Sequence, residues 1–416
     1  MAPSKNERVK ALLEKGVRIT NPGSIDIGVE VDLDRISGED VTLYPGCRIY
    51  GADTLILAGA RIGYEAPVTI DNSYVGPRVS LHGGFYSGAV FLEGAGCGSG
   101  AHIRSGTIFE EEARCAHTVG LKQTLLFPWV TLGSLINFCD ILMSGGTSAR
   151  DHSEVGSSYI HFNYTPNQDK ATASLLGDVP RGVMLAQRPN FLGGQGGLVG
   201  PCNLAFGTTV SAGSICRKDE KKTGRLIIEG TARSGRVSFA TGVYRGVKRI
   251  VDHNVAYIGN LVALRQWYRQ VRSLFISDHF PAALAAGLGA TLDAAIDERI
   301  EQFNRFCRKM PASIDLLTAG TASGTPDMQV RQQQELYDRR AEVAAALQDA
   351  RAIDGDTGSR DRFLESIQSA IRTRGKNYLG VIKGLDEEQR KTGTQWLQSV
   401  VDRSGAAAWR HLPLLT

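Results

Sequence analysis

Small aliphatic residues returning at every sixth position, a glycine-rich first half and apolar stripes of helical period in the second half predict a left-handed parallel β-helix of hexapeptide repeats followed by an α-helical C-terminal region. The six-residue step is visible in Ile56, Ile62 and Val68, and again in Leu192, Leu198, Leu204 and Val210, with Cys216 in the next place. One inward aliphatic followed by Gly, Pro, Asn or Ala suits one short strand and one tight turn, and three such steps close a triangular coil. A coil leaves its apolar end and edge hydrogen bonds uncovered until another stacks on it, so the repeat has to continue. The same period at both ends of the segment favours this mainly β architecture over a glycine-rich β-sandwich. Of the 48 glycines, 35 precede residue 244, which sets the boundary there. The chain then divides into residues 1–20, a capping helix and linker; 21–243, the β-helix domain; and 244–416, the α-helical domain.

Ser4, Lys5, Asn6 and Glu7 have the spacing of a capping box and open a short helix that carries Val9, Leu12 and Leu13 on one face, suited to cover the open end of the coil. Beyond Tyr244 the period becomes helical. Ile258, Leu261, Leu264, Tyr268, Val271 and Phe275 form one stripe, and Leu284, Leu288, Leu292, Ile296, Ile300 and Phe303 a second. Further helices are expected near 331–350, 360–373 and 386–402, with breaks such as Thr318 to Pro326. These stripes read as core or trimer packing, and no chemistry is legible among them.

The 47 basic and 43 acidic residues are spread along the chain, leaving a net charge of +4 and no polybasic arm, so neither nucleic acid nor a membrane is expected as a partner. Seven scattered cysteines without a Cys-x-x-Cys pair read as small core residues. Residues 1–15 are charged rather than apolar and no segment approaches a membrane span, so a cytoplasmic location is expected.

The motifs carry a family resemblance over residues 8–219. Leu12-Leu13-Glu14-Lys15-Gly16-Val17 with Asn21-Pro22, Ile103-Arg104-Ser105-Gly106, Val119-Gly120-Leu121-Lys122, and Ile160-His161-Phe162-Asn163-Tyr164 with Asp169-Lys170-Ala171-Thr172 make up most of it. The run from Phe191-Leu192-Gly193-Gly194 to Ala212-Gly213-Ser214 completes it. Together they resemble the C-terminal acetyltransferase half of the bacterial bifunctional glucosamine-1-phosphate acetyltransferase and UDP-N-acetylglucosamine pyrophosphorylase. The resemblance implies that Arg104 and Lys122 hold a sugar phosphate, and that Asn163 and Tyr164 line a site between neighbouring subunits of a homotrimer with Lys170 near the sugar. It also implies that the coils around Gly194, where the family has a serine, and Ala212 hold acetyl-coenzyme A as acyl donor.

One family residue is missing. The family's base is a histidine in a Gly-His-Leu segment twelve residues after the phosphate lysine; here that place reads Gly133-Ser134-Leu135-Ile136-Asn137. A serine hydroxyl does not deprotonate an amine near neutral pH without a base of its own. Asn137, in the same segment, is expected to contact substrate. Just downstream, Met143 to His152 contains an apparent insertion of about six residues, and inserted loops carry chemistry more often than repeats do. His152, oriented by Asp151 or Glu154, is therefore the expected replacement base, with a surface-turn role as its alternative. His117 and His161 could also face the cleft or sit at strand ends. A zinc site from His117, His152 and His161 of adjoining subunits ranks below the sugar-phosphate reading, and no metal is expected.

The expected function is acyl-coenzyme-A-dependent transfer to a sugar phosphate or nucleotide sugar. The alternatives are a catalytically lapsed sugar-phosphate binder or scaffold and, further off, a metal-dependent β-helix enzyme or a nucleotidyltransferase. With only a short helix ahead of the coils and no Gly-rich nucleotide loop, uridylyl transfer is not expected.

Overall fold

The computed structural model describes residues 5–170, 173–230, 235–236, 239–319 and 327–416. Residues 18–227 wind into a parallel β-solenoid. One side is an 11-stranded sheet running from Arg18–Ile19 to Leu226–Ile227. A 16-stranded sheet covers the two other sides, because Gly120–Leu126 and Asn137–Met143 pass through the corner between them as single strands. The six-residue rule holds physically: Ile56, Ile62, Val68, Leu192, Leu198, Leu204, Val210 and Cys216 all point into the prism and are buried. Six of the seven cysteines are buried free thiols, and Cys139 is half-buried.

The corner after the first sheet repeats one backbone device. Thr118, Leu135, Ser158 and Gln195 all take left-handed conformations, with φ between 56° and 62°. Each is non-glycine, and each is held there by the coil below: Thr118 N bonds to Ser99 O (2.8 Å), Leu135 N to His117 O (3.2 Å), Ser158 N to Ser134 O (2.9 Å) and Gln195 N to Ser157 O (2.9 Å). A ladder hydrogen bond offsets the steric cost that otherwise reserves this region for glycine.

Three excursions interrupt the winding. Met143 to His152 forms an antiparallel hairpin, Gly146–Ser148 against Asp151–His152. A second leaves the coil after Phe162, makes a tight turn in which Tyr164 pairs with Lys170, and returns to the sheet at Ser174–Leu176. A third, between Leu176 and Phe191, contains a four-residue helix, Val179–Gly182.

The first helix, α1 (Lys5–Lys15), buries Val9 and Leu12 against the coil end. Leu13, expected on that face, is 40% exposed: a helix turns about 100° per residue, so Leu12 and Leu13 cannot both point squarely inward. Ser4 lies outside the described residues. With Val179–Gly182 as α2, the helical region comprises α3 (Val247–Gln270), α4 (Ala282–Cys307), α5 (Met310–Thr318), α6 (Met328–Asp338), α7 (Arg340–Asp349), α8 (Thr357–Arg374), α9 (Tyr378–Lys383) and α10 (Glu387–Trp409). Every residue of the two expected stripes is buried. The helix expected over 331–350 is two, broken at Arg339, and α10 opens on a capping box between Asp386 and Gln389. No helix among the described residues is long and apolar enough to cross a membrane. Helical residues outnumber strand residues, because a coil side contributes only two or three residues of strand at a time.

The helices lie on the solenoid through apolar contacts and a buried polar seam. Tyr268 Oη donates to Glu110 Oε1 (2.6 Å) and Arg272 Nη2 to Glu111 Oε1 (2.5 Å). Burial, reinforced by the neighbouring Glu111, pushes the Glu110 carboxyl up to about 8. A carboxyl raised above its unfolded value keeps its proton in the fold, so its contribution to stability is complete below pH 4.5 and is lost as pH rises towards 8. Glu110→Gln should therefore raise the melting temperature at pH 9 relative to wild type and leave it little changed at pH 5; an equal change at both values would remove this titration from the account.

Candidate active site

Stacked coils place equivalent residues in columns with a rise of about 4.8 Å per coil. His117, Ser134, Ser157, Gly194 and Ala212 form one such column, each lying two residues past the last inward residue of the first sheet: Cys115, Leu132, Val155, Leu192 and Val210. Within it, His117 Nδ1 and Ser134 Oγ are 2.9 Å apart, and Ser134 N donates to Ser157 Oγ (3.2 Å). Ser134 stands where the family resemblance calls for an imidazole. The coil below supplies one, from His117.

From this corner one flat side runs to the next corner. Its outward residues are in register: His102 beside Gly120, Gly120 beside Asn137, Asn137 beside Ile160. Asn137 is exposed on this floor. At the far corner, Arg104 Nη2 reaches the Cys139 sulfur (3.8 Å), and Lys122 pairs in register with Cys139. The far corner also draws in Lys170. Burial, then Asp140, pushes the Cys139 thiol up, while Lys170, Arg104 and Lys122 pull it down, so all three cations lie within electrostatic reach of one sulfur. Arg104 is exposed and Lys122 half-buried, both open to an anionic group.

The remaining expected residues are placed as follows. Asn163 is buried and donates to Asp140 Oδ2 (2.7 Å), and Lys170 Nζ bonds the same oxygen (2.9 Å). Burial works against the Asp140 charge, but Arg299 and Lys170 hold its carboxyl below the usual range. Tyr164 is exposed beside Phe162, with ring centroids 6.0 Å apart. Gly194 and Ala212 continue the His117–Ser134 column, two and three coils beyond Ser134. A side chain on Gly194 would meet Ser157 O at 2.7 Å, whereas the outward space at Gly213 is open. This corner is thus a bare track.

His152 sits elsewhere. Its Nδ1 bonds Ala149 O (3.0 Å), its Nε2 lies 3.7 Å from Glu154 Oε2, and Asp151 accepts instead from Thr147 Oγ1 (2.6 Å). The hairpin precedes the first sheet's strand, so within one chain His152 is about 15 Å of extended backbone from the Ser134 corner and on a different side from Lys122. His161 is in the core, bonded through Nδ1 to Cys139 O (2.6 Å) and through Nε2 to Ser174 Oγ (2.9 Å); burial pushes its pKa down to about 4. With both nitrogens engaged inside the coil, it is not placed to join His117 and His152 at a surface metal.

No family model matches the chain. The chain is similar to bifunctional protein GlmU. Identity is 29% over 160 residues with the Micrococcus luteus protein, covering 38% of this chain and 30% of that one. It is 28% over 204 residues with the Nostoc protein (49% and 40%) and 28% over 218 residues with an Acinetobacter baumannii protein (52% and 42%). The chain spans less than half the length of these curated relatives. The likeness and the solenoid agree with the resemblance read from the motifs.

Proposed function

We propose that the chain is an acyltransferase that moves an acyl group from a coenzyme A thioester to the amine of a sugar phosphate or nucleotide sugar, working as a homotrimer in the cytoplasm. The observation that carries the reading is the His117–Ser134 pair: Ser134 stands where the family resemblance implies the base, His117 lies against it from the coil below, and the pair borders the side that also holds Asn137, Arg104 and Lys122. The similarity to GlmU supports an acetyl donor and an amino-sugar acceptor.

Arg104 offers a forked donor and Lys122 a point charge to the acceptor phosphate at one corner. The sugar then lies across Gly120 and Asn137, with its amine towards the other corner. Ser134 Oγ accepts the amine proton while passing its own to His117 Nδ1, which requires the neutral tautomer protonated on Nε2. The thioester supplies an activated carbonyl and a thiolate leaving group. His117 returns its proton through Ser134 to that sulfur, so the relay ends as it began. The track from Ser134 past Ser157 and Gly194 to Ala212 spans three coil steps, about 14 Å, and suits an extended pantetheine arm.

Purified protein mixed with acetyl-coenzyme A and glucosamine 1-phosphate is expected to release free thiol only when both are present. Calorimetric binding of both compounds without thiol release would identify a lapsed sugar-phosphate binder instead.

A further inference from the structure

The turn from Tyr164 to Lys170 is closed internally: Thr165 N bonds Asp169 O (2.7 Å), Thr165 Oγ1 donates to Asp169 Oδ1, and Asn167 N donates to Thr165 Oγ1 (3.1 Å). These bonds fix its shape but not its place. Its place is set by three separate stretches of chain, two in the helical region and one in the segment that leads into α3. Lys309, between α4 and α5, bonds Asp169 Oδ2 (2.5 Å), and the Tyr244 hydroxyl donates to the same oxygen. Asn167 Oδ1 accepts from Gly242 N (2.7 Å) and its Nδ2 donates to Val243 O (3.5 Å). At the turn's base, Arg299 of α4 faces Asp140 Oδ1 (3.5 Å), the carboxylate that holds Lys170 and Asn163.

The grip is reinforced behind the turn. Tyr244 N bonds Ser313 Oγ (3.0 Å), Tyr244 O accepts from Gln333 Nε2 (2.6 Å), and its ring meets Phe306 edge-on at 5.4 Å. Burial opposes the Asp169 charge, yet Lys309, Thr165 and Tyr244 hold its carboxyl below the usual range. A charged hydrogen bond of this kind contributes more than a neutral one.

We infer that the helical region is the positioning scaffold of the acceptor site, and that Lys309, Tyr244 and Arg299 act on substrate through the Tyr164–Lys170 turn. The inference rests on the proposed function in taking Lys170 and Tyr164 as neighbours of the acceptor. A solenoid coil orders its own rungs by stacking, but a long excursion lacks a coil above and below and needs an outside support. The turn carries a cation to the corner where Arg104 and Lys122 already stand, so a small shift of the turn changes the charge offered to a phosphate.

The test compares wild type with Lys309→Met, Tyr244→Phe and the conservative Lys309→Arg, reading hydrogen exchange at amides 164–170 and calorimetric affinity for glucosamine 1-phosphate. Lys309→Met is expected to speed exchange in the turn about tenfold and weaken affinity about tenfold, with amides 191–216 unaffected; Lys309→Arg should restore both, and Tyr244→Phe should act in the same direction. Unchanged exchange in both Lys309→Met and Tyr244→Phe, or faster exchange with unchanged affinity, would overturn the inference. Neither readout needs turnover, so a protein that binds the sugar phosphate without releasing thiol sinks the catalytic reading while this one is still decided.

Discussion

Asp140→Asn is expected to lower the unfolding free energy by about 3–5 kcal/mol, the range for stranding a buried charge. The carboxylate is 2% exposed and sits among Arg299, Lys170 and Asn163. Arg299 is equally buried, and none of its guanidinium nitrogens has a hydrogen-bond partner among the described residues, so Asp140 is what offsets its desolvation. Asparagine keeps the shape and can still bond Asn163, but it leaves two cations facing each other in a medium of low polarity. Adding Arg299→Met, close in volume and uncharged, should recover most of the loss. Urea unfolding of the single and double variants checks this; a double variant no more stable than Asp140→Asn alone would show that the arginine is not the stranded group. The double variant should also report on the turn, because Lys170 then loses its anchor while the core is repaired.

The solenoid was legible because its energetics repeat. Every side of every coil needs one small inward aliphatic, so Leu192, Leu198, Leu204 and Val210 had to appear at a fixed step, and the helical stripes were legible for the same reason at a different period. The site was less so, because its partners are a whole coil apart. Ser134 looked like a lost base when read along the chain; read across coils, His117 and Ser134 each follow by two the last inward residue of the same side, Cys115 and Leu132. Counting the coil period was the signal that would have joined them. The pairing of Asp151 with His152 failed for a related reason: neighbours in extended chain point to opposite faces, and Asp151 turns to Thr147 while His152 turns to Ala149 and Glu154. Asn163 and Lys170 match their motif, but what they touch, Asp140 and through it Arg299, is fixed by a helix more than a hundred residues away and leaves no local pattern.

If His117 is the base, His117→Ala should lower kcat for thiol release by 10²- to 10⁴-fold, the usual span for a general base, with little change in KM for the acceptor. Arg104→Met should show the converse emphasis, because a phosphate contact made equally in the ground and transition states appears mainly in KM. Ser134→Ala should fall between wild type and His117→Ala, since the imidazole remains near the corner without its relay. His152→Ala should retain wild-type rates. The decisive variant combines His117→Ala with Ser134→His. It moves the imidazole up one coil, about 4.8 Å, to the position the family resemblance assigns it. Recovery of a substantial part of the lost rate would show that the corner needs one imidazole and that the coil it comes from is secondary. Loss of activity in His152→Ala, with His117→Ala intact, would instead place the base in the hairpin and require a neighbouring subunit to bring it to the amine.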